Sequence, residues 1–156
     1  MRMLKHIYVD ERQWTCFDQY FVYIESIKEH LPADLYRFAA DVSRYELDGP
    51  NTLHDAWVED VVFSTRYRNQ TNVIAAAEAK VCLRKANGRF ISMTYSGVEG
   101  FEYRNLPNRW PDMATDLLVH EVCLESSSLY SHLLVFDKDV YMKLVFRNFR
   151  VEENAR

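Results

Sequence analysis

The chain has 156 residues, of which 48% are hydrophobic and 27% are charged, and its formal net charge is −4. Its length is that of one domain, and a domain of this size buries enough surface to fold without a disulfide or a bound metal. The slight acidic excess excludes the dense basic surface that nucleic-acid binding requires, and it gives no attraction to anionic membranes. We therefore expect a single domain over residues 1–156, with no cofactor and with neither nucleic acid nor membrane as a partner.

The three cysteines, Cys16, Cys82 and Cys123, are odd in number and widely spaced. This usage is typical of free thiols in a reducing compartment. The first residues of the chain lack the apolar stretch of a signal peptide, and no uncharged apolar run approaches the roughly 18 residues of a membrane-spanning helix. We therefore expect a cytoplasmic protein.

Two helices are predicted in the first third of the chain. The first covers residues 11–30, because apolar side chains recur there at intervals of three and four residues. Those side chains are Trp14, Phe17, Phe21, Ile24 and Ile27. The second helix begins at Pro32, whose missing N–H costs nothing in a first helical turn. Its apolar stripe consists of Leu35, Phe38, Ala39 and Val42, and Gly49-Pro50-Asn51 ends the helical region.

From about residue 56 onward, the side chains alternate with a period of two, as in β-strands. A first strand carries Val61 and Phe63 on one side, and a second strand covers residues 73–84. The alanines of the second strand would also suit a helix. The long alternation favours a strand.

The turn that follows the second strand contains Asn87-Gly88, the strongest turn signal of the chain. A two-residue loop would place Ile91 opposite Arg84. A three-residue loop, Ala86-Asn87-Gly88, places Leu83 opposite Ile91, Val81 opposite Met93 and Ala79 opposite Tyr95. We predict the second register, because it pairs apolar with apolar side chains.

The rest of the chain is predicted to be further strands. The strand from Arg89 bends at Gly97 or Gly100 and continues to about Tyr103, and residues 105–116 form a long irregular connection. Strands follow at 117–125, 129–137 and 140–151, with a turn at 137–139. The prediction is an α+β fold with two N-terminal helices packed on a curved, mostly antiparallel sheet of about six strands.

Three histidines are the best candidates for a metal site. If the loop at 126–128 is symmetrical, His120 and His132 are diagonal neighbours on one sheet face. They could bind a metal ion with His54 or Asp55 as a further ligand, or they could be buried histidines that hydrogen-bond to the backbone. Their spacing matches no known ligand motif, so we predict no metal site.

No catalytic residue is predicted either. Asp55, Glu59, Asp60 and Glu121 have the side chains that acid–base catalysis uses, but a solvated sheet face explains them better. Ser96-Gly97 is not part of a nucleophile elbow, and the few glycines form no nucleotide-binding loop.

Two surfaces are candidate binding sites. The first is the connection around Arg109 and Trp110, because both residue types are enriched at binding hot spots and long loops are often functional. Trp110 could instead fold back over the sheet edge. The second is the outer side of the last strand, with Tyr141, Lys143, Arg147 and Phe149. Such mixed side chains could also serve only to prevent aggregation.

Several short segments resemble small uncharacterised bacterial α+β proteins. They are Leu53-His54-Asp55-Ala56-Trp57, Leu118-Val119-His120-Glu121-Val122, His132, Val135-Phe136 and Val145-Phe146-Arg147-Asn148-Phe149. The resemblance covers residues 53–152. Some proteins of this kind look like immunity proteins, which neutralise a cognate toxin. The resemblance implies a role in protein binding and no site residues.

These observations favour a non-enzymatic protein-interaction module, of which an immunity-like protein bound to its toxin is one form. Two alternatives stay open. One is a small-molecule-binding domain with a pocket enclosed by the curled sheet. The other is a metal-dependent hydrolase that uses the group of His54, His120 and His132, together with Asp55 and Glu121.

Overall fold

The computed structural model describes residues 3–104 and 115–154. Over this part of the chain the protein is mostly β, with ten strands in three antiparallel sheets and two short α-helices. The helices are α1 (Asp18–Ser26) and α2 (Ala33–Ala39), each followed by a short 3-10 helix, at Lys28–His30 and Val42–Arg44. The strands are β1 (Tyr8–Val9), β2 (Thr15–Cys16), β3 (Trp57–Tyr67), β4 (Ile74–Arg84), β5 (Phe90–Ser96), β6 (Gly100–Arg104), β7 (Leu117–Ser126), β8 (Leu129–Phe136), β9 (Tyr141–Phe146) and β10 (Asn148–Glu153). Within the described ranges, no helix has the length and apolar character needed to cross a bilayer.

Two four-stranded sheets make up most of the fold, with the strand orders β10-β5-β4-β3 and β6-β9-β8-β7. Strands β1 and β2 form a separate hairpin. The two larger sheets adjoin where the chain passes from one into the other: Glu99 N–H donates to the Val145 carbonyl (2.8 Å), and Arg147 N–H donates to the Ser96 carbonyl (3.0 Å). Buried side chains of both sheets and both helices form one apolar cluster.

The predicted α+β fold with one curved sheet of about six strands is wrong. Two segments that were predicted as single strands are each divided between the two sheets. One breaks after Ser96, where Gly97 adopts a left-handed backbone (φ +62°), and the other breaks at Arg147. Because the second break turns the following residues over, Phe149 is buried in the core (5% exposed) and does not lie on the outer side as predicted.

The first predicted helix, 11–30, is also wrong in its first third, since α1 begins only at Asp18. The Asp10 carboxylate accepts hydrogen bonds from the Arg12 and Trp14 N–H groups (2.9 Å each), and Gln13 has a φ of +66°. Such side-chain bonds offer the backbone an alternative to the helix. The chain therefore forms the β1–β2 hairpin here, and Trp14 is 63% exposed and not part of a buried helical face.

The second helix begins where it was predicted, with Pro32 directly before its first residue. Leu35, Phe38 and Ala39 are buried as expected, but Val42 lies beyond the helix and is 53% exposed.

The β4–β5 hairpin confirms the predicted strand and its register. Leu83 lies opposite Ile91, Val81 opposite Met93 and Ala79 opposite Tyr95. Lys85 N–H donates to the Arg89 carbonyl (2.8 Å), which leaves a three-residue loop with Gly88 at a φ of +85°.

Helix α1 protects the outer edge of β7. The Val122 N–H donates to the Tyr20 hydroxyl (3.2 Å), and the Leu124 N–H donates to the Tyr23 hydroxyl (2.9 Å). An edge strand left open would present unpaired backbone groups to other chains. The two tyrosines satisfy these groups and attach the helix to the sheet.

The break at Gly97 should be intolerant of a side chain. An added Cβ would lie 3.0 Å from the Arg147 Cβ, on a backbone with positive φ. We expect Gly97→Ala to lower the free energy of unfolding by about 2–4 kcal/mol, since backbone strain and overpacking add. Urea denaturation measures this change.

Gly49→Ala is the matched control, because Gly49 also has a positive φ (+107°) but no atom within 4 Å of an added Cβ. Gly49→Ala should lower the free energy of unfolding only through backbone strain, by about 1–2 kcal/mol. Equal losses in the two variants would contradict the close approach of Gly97 and Arg147.

Candidate functional site

A buried hydrogen-bonded chain of side chains links the two sheets. The Tyr95 hydroxyl lies 2.6 Å from His132 Nδ1, and His132 Nε2 lies 3.0 Å from His120 Nδ1. His120 lies opposite Leu134 and His132 lies opposite Val122, so the two histidines are diagonal neighbours, as predicted. The side chains of Tyr95, His132 and His120 are each 0–2% exposed.

The direction of these hydrogen bonds follows from the partners of Tyr95. The hydroxyl could donate to the Met93 sulfur at 3.5 Å or to His132 Nδ1 at 2.6 Å, and we assign its hydrogen to His132 because a thioether sulfur is the weaker acceptor. His132 must then carry its hydrogen on Nε2 and donate to His120 Nδ1. This leaves the His120 hydrogen on Nε2, at the end of the chain.

Both histidines are held in the neutral form. Burial lowers the pKa of His120 to about 3; the main chain of Arg44 acts in the opposite direction, and the positive charge of Arg44 lowers the pKa further. Burial, with a smaller contribution from His120, holds the pKa of His132 well below its ordinary value. Burial also raises the pKa of Tyr95 well above its ordinary value. The group therefore carries no charge near neutral pH.

His120, at the end of this series of hydrogen bonds, borders a small cavity. His120 Nε2 and His54 Nδ1 are buried and have no hydrogen-bond partner among the described residues, although the Asp55 carboxylate lies 3.2 Å from His54 Nδ1. Both histidines line a cavity of about 10 Å³, together with Arg44 and Tyr45. This volume is close to the minimum for one water-sized molecule.

A larger apolar groove lies next to this cavity and has a volume of about 650 Å³. Four residues line both spaces: Phe17, Tyr45, His54 and Leu118. The remaining walls come from the β1–β2 hairpin, from α1 and from the segment after α2, with the side chains Gln13, Trp14, Thr15, Phe21, Val42, Glu46 and Leu47. Three of these, Trp14, Val42 and Leu47, are 53–76% exposed. Large apolar side chains that converge on one open groove are typical of a binding surface.

Trp14 is held in a fixed position despite its exposure. Its backbone N–H donates to Asp10 Oδ1, and its backbone carbonyl accepts from the Asp10 backbone N–H, both at 2.9 Å. The Arg12 guanidinium lies over the indole ring, 4.5 Å from its centroid. The backbone of Trp14 is therefore fixed and one face of its ring is in contact with Arg12, which lowers the entropic cost of binding.

The segments that form the groove are acidic. Residues 10–18 and 41–48 contain six acidic and two basic side chains. The two basic ones, Arg12 and Arg44, are already in ion pairs, with Asp10 and with Asp41 and Glu153. The groove therefore presents a negative field to a partner.

The structure brings the three predicted histidines together, since His54 and His120 line one cavity and His132 bonds to His120, but it does not arrange them as a metal site. Among the described residues, no three His, Cys, Asp or Glu side chains are placed so that they could hold a metal ion. The Glu121 carboxylate accepts from the N–H groups of Lys5, His6 and Ile7 (2.8–2.9 Å), and thereby attaches the N-terminal segment to β7. Glu59 pairs with Arg84.

The predicted binding residues lie away from the groove where the structure describes them. The Tyr141 hydroxyl donates to Glu102 Oε2 (3.3 Å) at the start of β9. Arg147, beyond the other end of β9, pairs with Glu99 (3.1 Å) and donates to the Ser128 carbonyl (3.3 Å). Arg109 and Trp110 lie outside the described residues. Binding at these four residues stays a prediction.

The groove was not predicted from the sequence, because the spacing of apolar residues placed Trp14 and Val42 on buried helical faces. One signal could have corrected it. Asp10 lies two and four residues before Arg12 and Trp14, a spacing at which an Asp side chain accepts backbone N–H bonds and favours a turn.

Comparisons with models of known protein families, with curated proteins and with solved structures return no match. The resemblance to immunity-like bacterial proteins therefore stays a prediction.

The neutral histidines should make the protein sensitive to mild acid. Because the folded-state pKa of His120 is about 3 against 6.5 for an ordinary histidine, the unfolded state binds more protons between these values. The free energy of unfolding should fall as pH falls from about 6.5 to 5, by about 1.4 kcal/mol per pH unit for each titrating histidine. Chemical denaturation at several pH values measures this slope.

In the variant His120→Gln, the change in the free energy of unfolding with pH should be smaller by about 1.4 kcal/mol per pH unit, the contribution of one histidine. His30→Gln is the control and should keep the wild-type slope, because His30 is exposed. A wild-type stability that does not change over this pH range would contradict the burial of two neutral histidines.

Proposed function

We propose that this protein is a non-catalytic protein-binding module, and that its groove takes up an apolar segment of a partner protein. The observation that carries the proposal is Trp14, which is 63% exposed yet held in place at the groove by Asp10 and Arg12. Tryptophan is among the residue types most enriched at binding hot spots, and here it stands exposed next to an apolar groove.

The charge of the groove specifies the partner further. An apolar segment alone would suit the lining formed by Phe17, Phe21 and Leu47. The acidic excess of the surrounding segments favours a partner whose apolar side chains are flanked by Lys or Arg. The net charge of −4 for the whole chain supports the same preference.

The immunity-like role is one form of this function, in which the partner is a toxin and the groove covers part of its surface. The resemblance of residues 53–152 supports that role, and two residues within this range, His54 and Leu118, line the groove.

A second candidate is the binding of a small apolar molecule. A volume of about 650 Å³ supports it, because small-molecule sites span roughly 300–1,000 Å³. The groove is not enclosed by the sheet, however, since much of its wall comes from the β1–β2 hairpin and the segment after α2.

Selection from a displayed library of random peptides tests the proposal. We expect peptides with two or more large apolar residues next to Lys or Arg to be enriched. A selected peptide, synthesised and titrated by calorimetry, should bind Trp14→Ala about 30-fold more weakly, the effect of losing about 2 kcal/mol at a hot spot. Leu47→Ala should weaken binding less.

Val22→Ala is the matched control, because Val22 is also exposed (70%) but lies outside the groove lining. It should leave the affinity unchanged. Peptides without a common pattern, or peptides that bind Trp14→Ala as tightly as the wild type, would contradict the proposal. A site for a small neutral molecule would give no such sequence preference.

A further inference from the structure

We propose that two copies of this chain associate through β3, which pairs with its symmetry mate in antiparallel orientation and joins two four-stranded sheets into one. The partner is thus a second copy of the chain. This inference rests on β3 alone and is independent of the groove.

Strand β3 is an open edge among the described residues. It has eleven residues and pairs only with β4 on its inner side. The edge of β7 is capped by Tyr20 and Tyr23 of α1, and β10 is packed by α2. The remaining edge strand, β6, has five residues. A long open edge strand attracts another strand unless charge, proline or a bulge prevents it.

The central part of β3 has no proline and no bulge, and its charged residues stand only at its two ends. Register shifts occur at Val58/Asp60 and at Arg66/Tyr67, so the seven residues from Asp60 to Arg66 form an uninterrupted stretch. The stretch reads Asp-Val-Val-Phe-Ser-Thr-Arg and contains neither proline nor lysine. Val62 and Phe63 within it are 52% and 48% exposed.

The sequence of this stretch is complementary to itself. In an antiparallel pair, residues directly opposite each other lie on the same face of the sheet. A two-fold axis perpendicular to the sheet keeps every residue on its own face, so one residue must lie directly opposite the same residue of the second copy. The register centred on Phe63 keeps all seven residues paired. It places Asp60 opposite Arg66 of the second copy, and Arg66 opposite its Asp60.

The other opposite pairs of this register are compatible with a sheet. Phe63, whose ring also packs against Phe101 of its own chain (5.7 Å between centroids), meets Phe63 of the second copy. Val61 meets Thr65, and Val62 meets Ser64. Aromatic pairs and opposite charges across strands each stabilise a sheet, and no like charges face one another.

The two charges lack partners within one chain. Among the described residues, the side chains of Asp60 and Arg66 form no salt bridge or hydrogen bond, whereas Glu59 beside them pairs with Arg84. The dimer would supply two ion pairs, one on each side of the axis.

Exchange of the two charges tests the inference. Sedimentation equilibrium of the full chain at concentrations up to about 500 µM should give a mass that rises from 18.5 kDa toward twice that value. Asp60→Arg and Arg66→Asp should each raise the dissociation constant at least about tenfold, because like charges then face one another. The double variant D60R/R66D restores both pairs and should return to within about threefold of the wild type.

A second pair of variants protects the test against misfolding. Val62→Lys places a charge in the middle of the edge and should also weaken association, while Val22→Lys, at an exposed position on α1, should not. Circular dichroism confirms that each variant is folded. A wild type that stays at 18.5 kDa at the highest concentration would overturn the inference and leave the edge to a strand of a different protein. Failure of D60R/R66D to restore association lost in the folded single variants would overturn the register.

Discussion

The fold depends on a buried network of tyrosines and histidines that joins the helices to both sheets. The Val122 N–H donates to Tyr20, whose hydroxyl lies 2.8 Å from that of Tyr45, and Tyr45 in turn donates to the Ala39 carbonyl (2.9 Å). The Tyr45 ring stacks on His120 (4.2 Å between centroids), the last member of the chain that begins at Tyr95 in β5. Helix α1, the end of α2 and strands β5, β7 and β8 are therefore connected through side chains that are almost fully buried.

This network decides what the neighbouring groove can do. A buried polar group costs free energy unless it is hydrogen-bonded. Tyr95, both nitrogens of His132 and the Nδ1 of His120 are satisfied here, whereas His120 Nε2 has no partner among the described residues and borders the small cavity. His132 uses both ring nitrogens within the network, and His120 uses its Nδ1, so of these four nitrogens only His120 Nε2 is left toward the cavity. Tyr45 is shared between the network and the groove wall, and the network thus holds that wall rigid. A rigid apolar wall beside an ordered Trp14 suits binding.

Local patterns predicted the parts of this arrangement that depend on neighbouring strands. The register of β4 and β5 and the diagonal placement of His120 and His132 follow from alternation and loop length, and the structure confirms both. Gly97 was one of the two predicted bend positions, but the pattern did not show that the chain changes sheets there, and it gave no sign of the break at Arg147. It also misplaced Trp14, because the helical spacing of apolar residues gave no weight to the Asp10 side chain. The groove, which is built from four separated segments, was therefore not predictable from spacing.

The central claim is that His120 and His132 are neutral, with the hydrogen of each ring on Nε2. Side-chain ¹⁵N chemical shifts of the two histidines, measured by NMR between about pH 5.5 and 8, test this claim most directly. Each ring should show one protonated nitrogen, Nε2, and one bare nitrogen, Nδ1, with no change over this pH range. A ring that titrates near the ordinary histidine pKa of 6.5, or that carries its hydrogen on Nδ1, would contradict it.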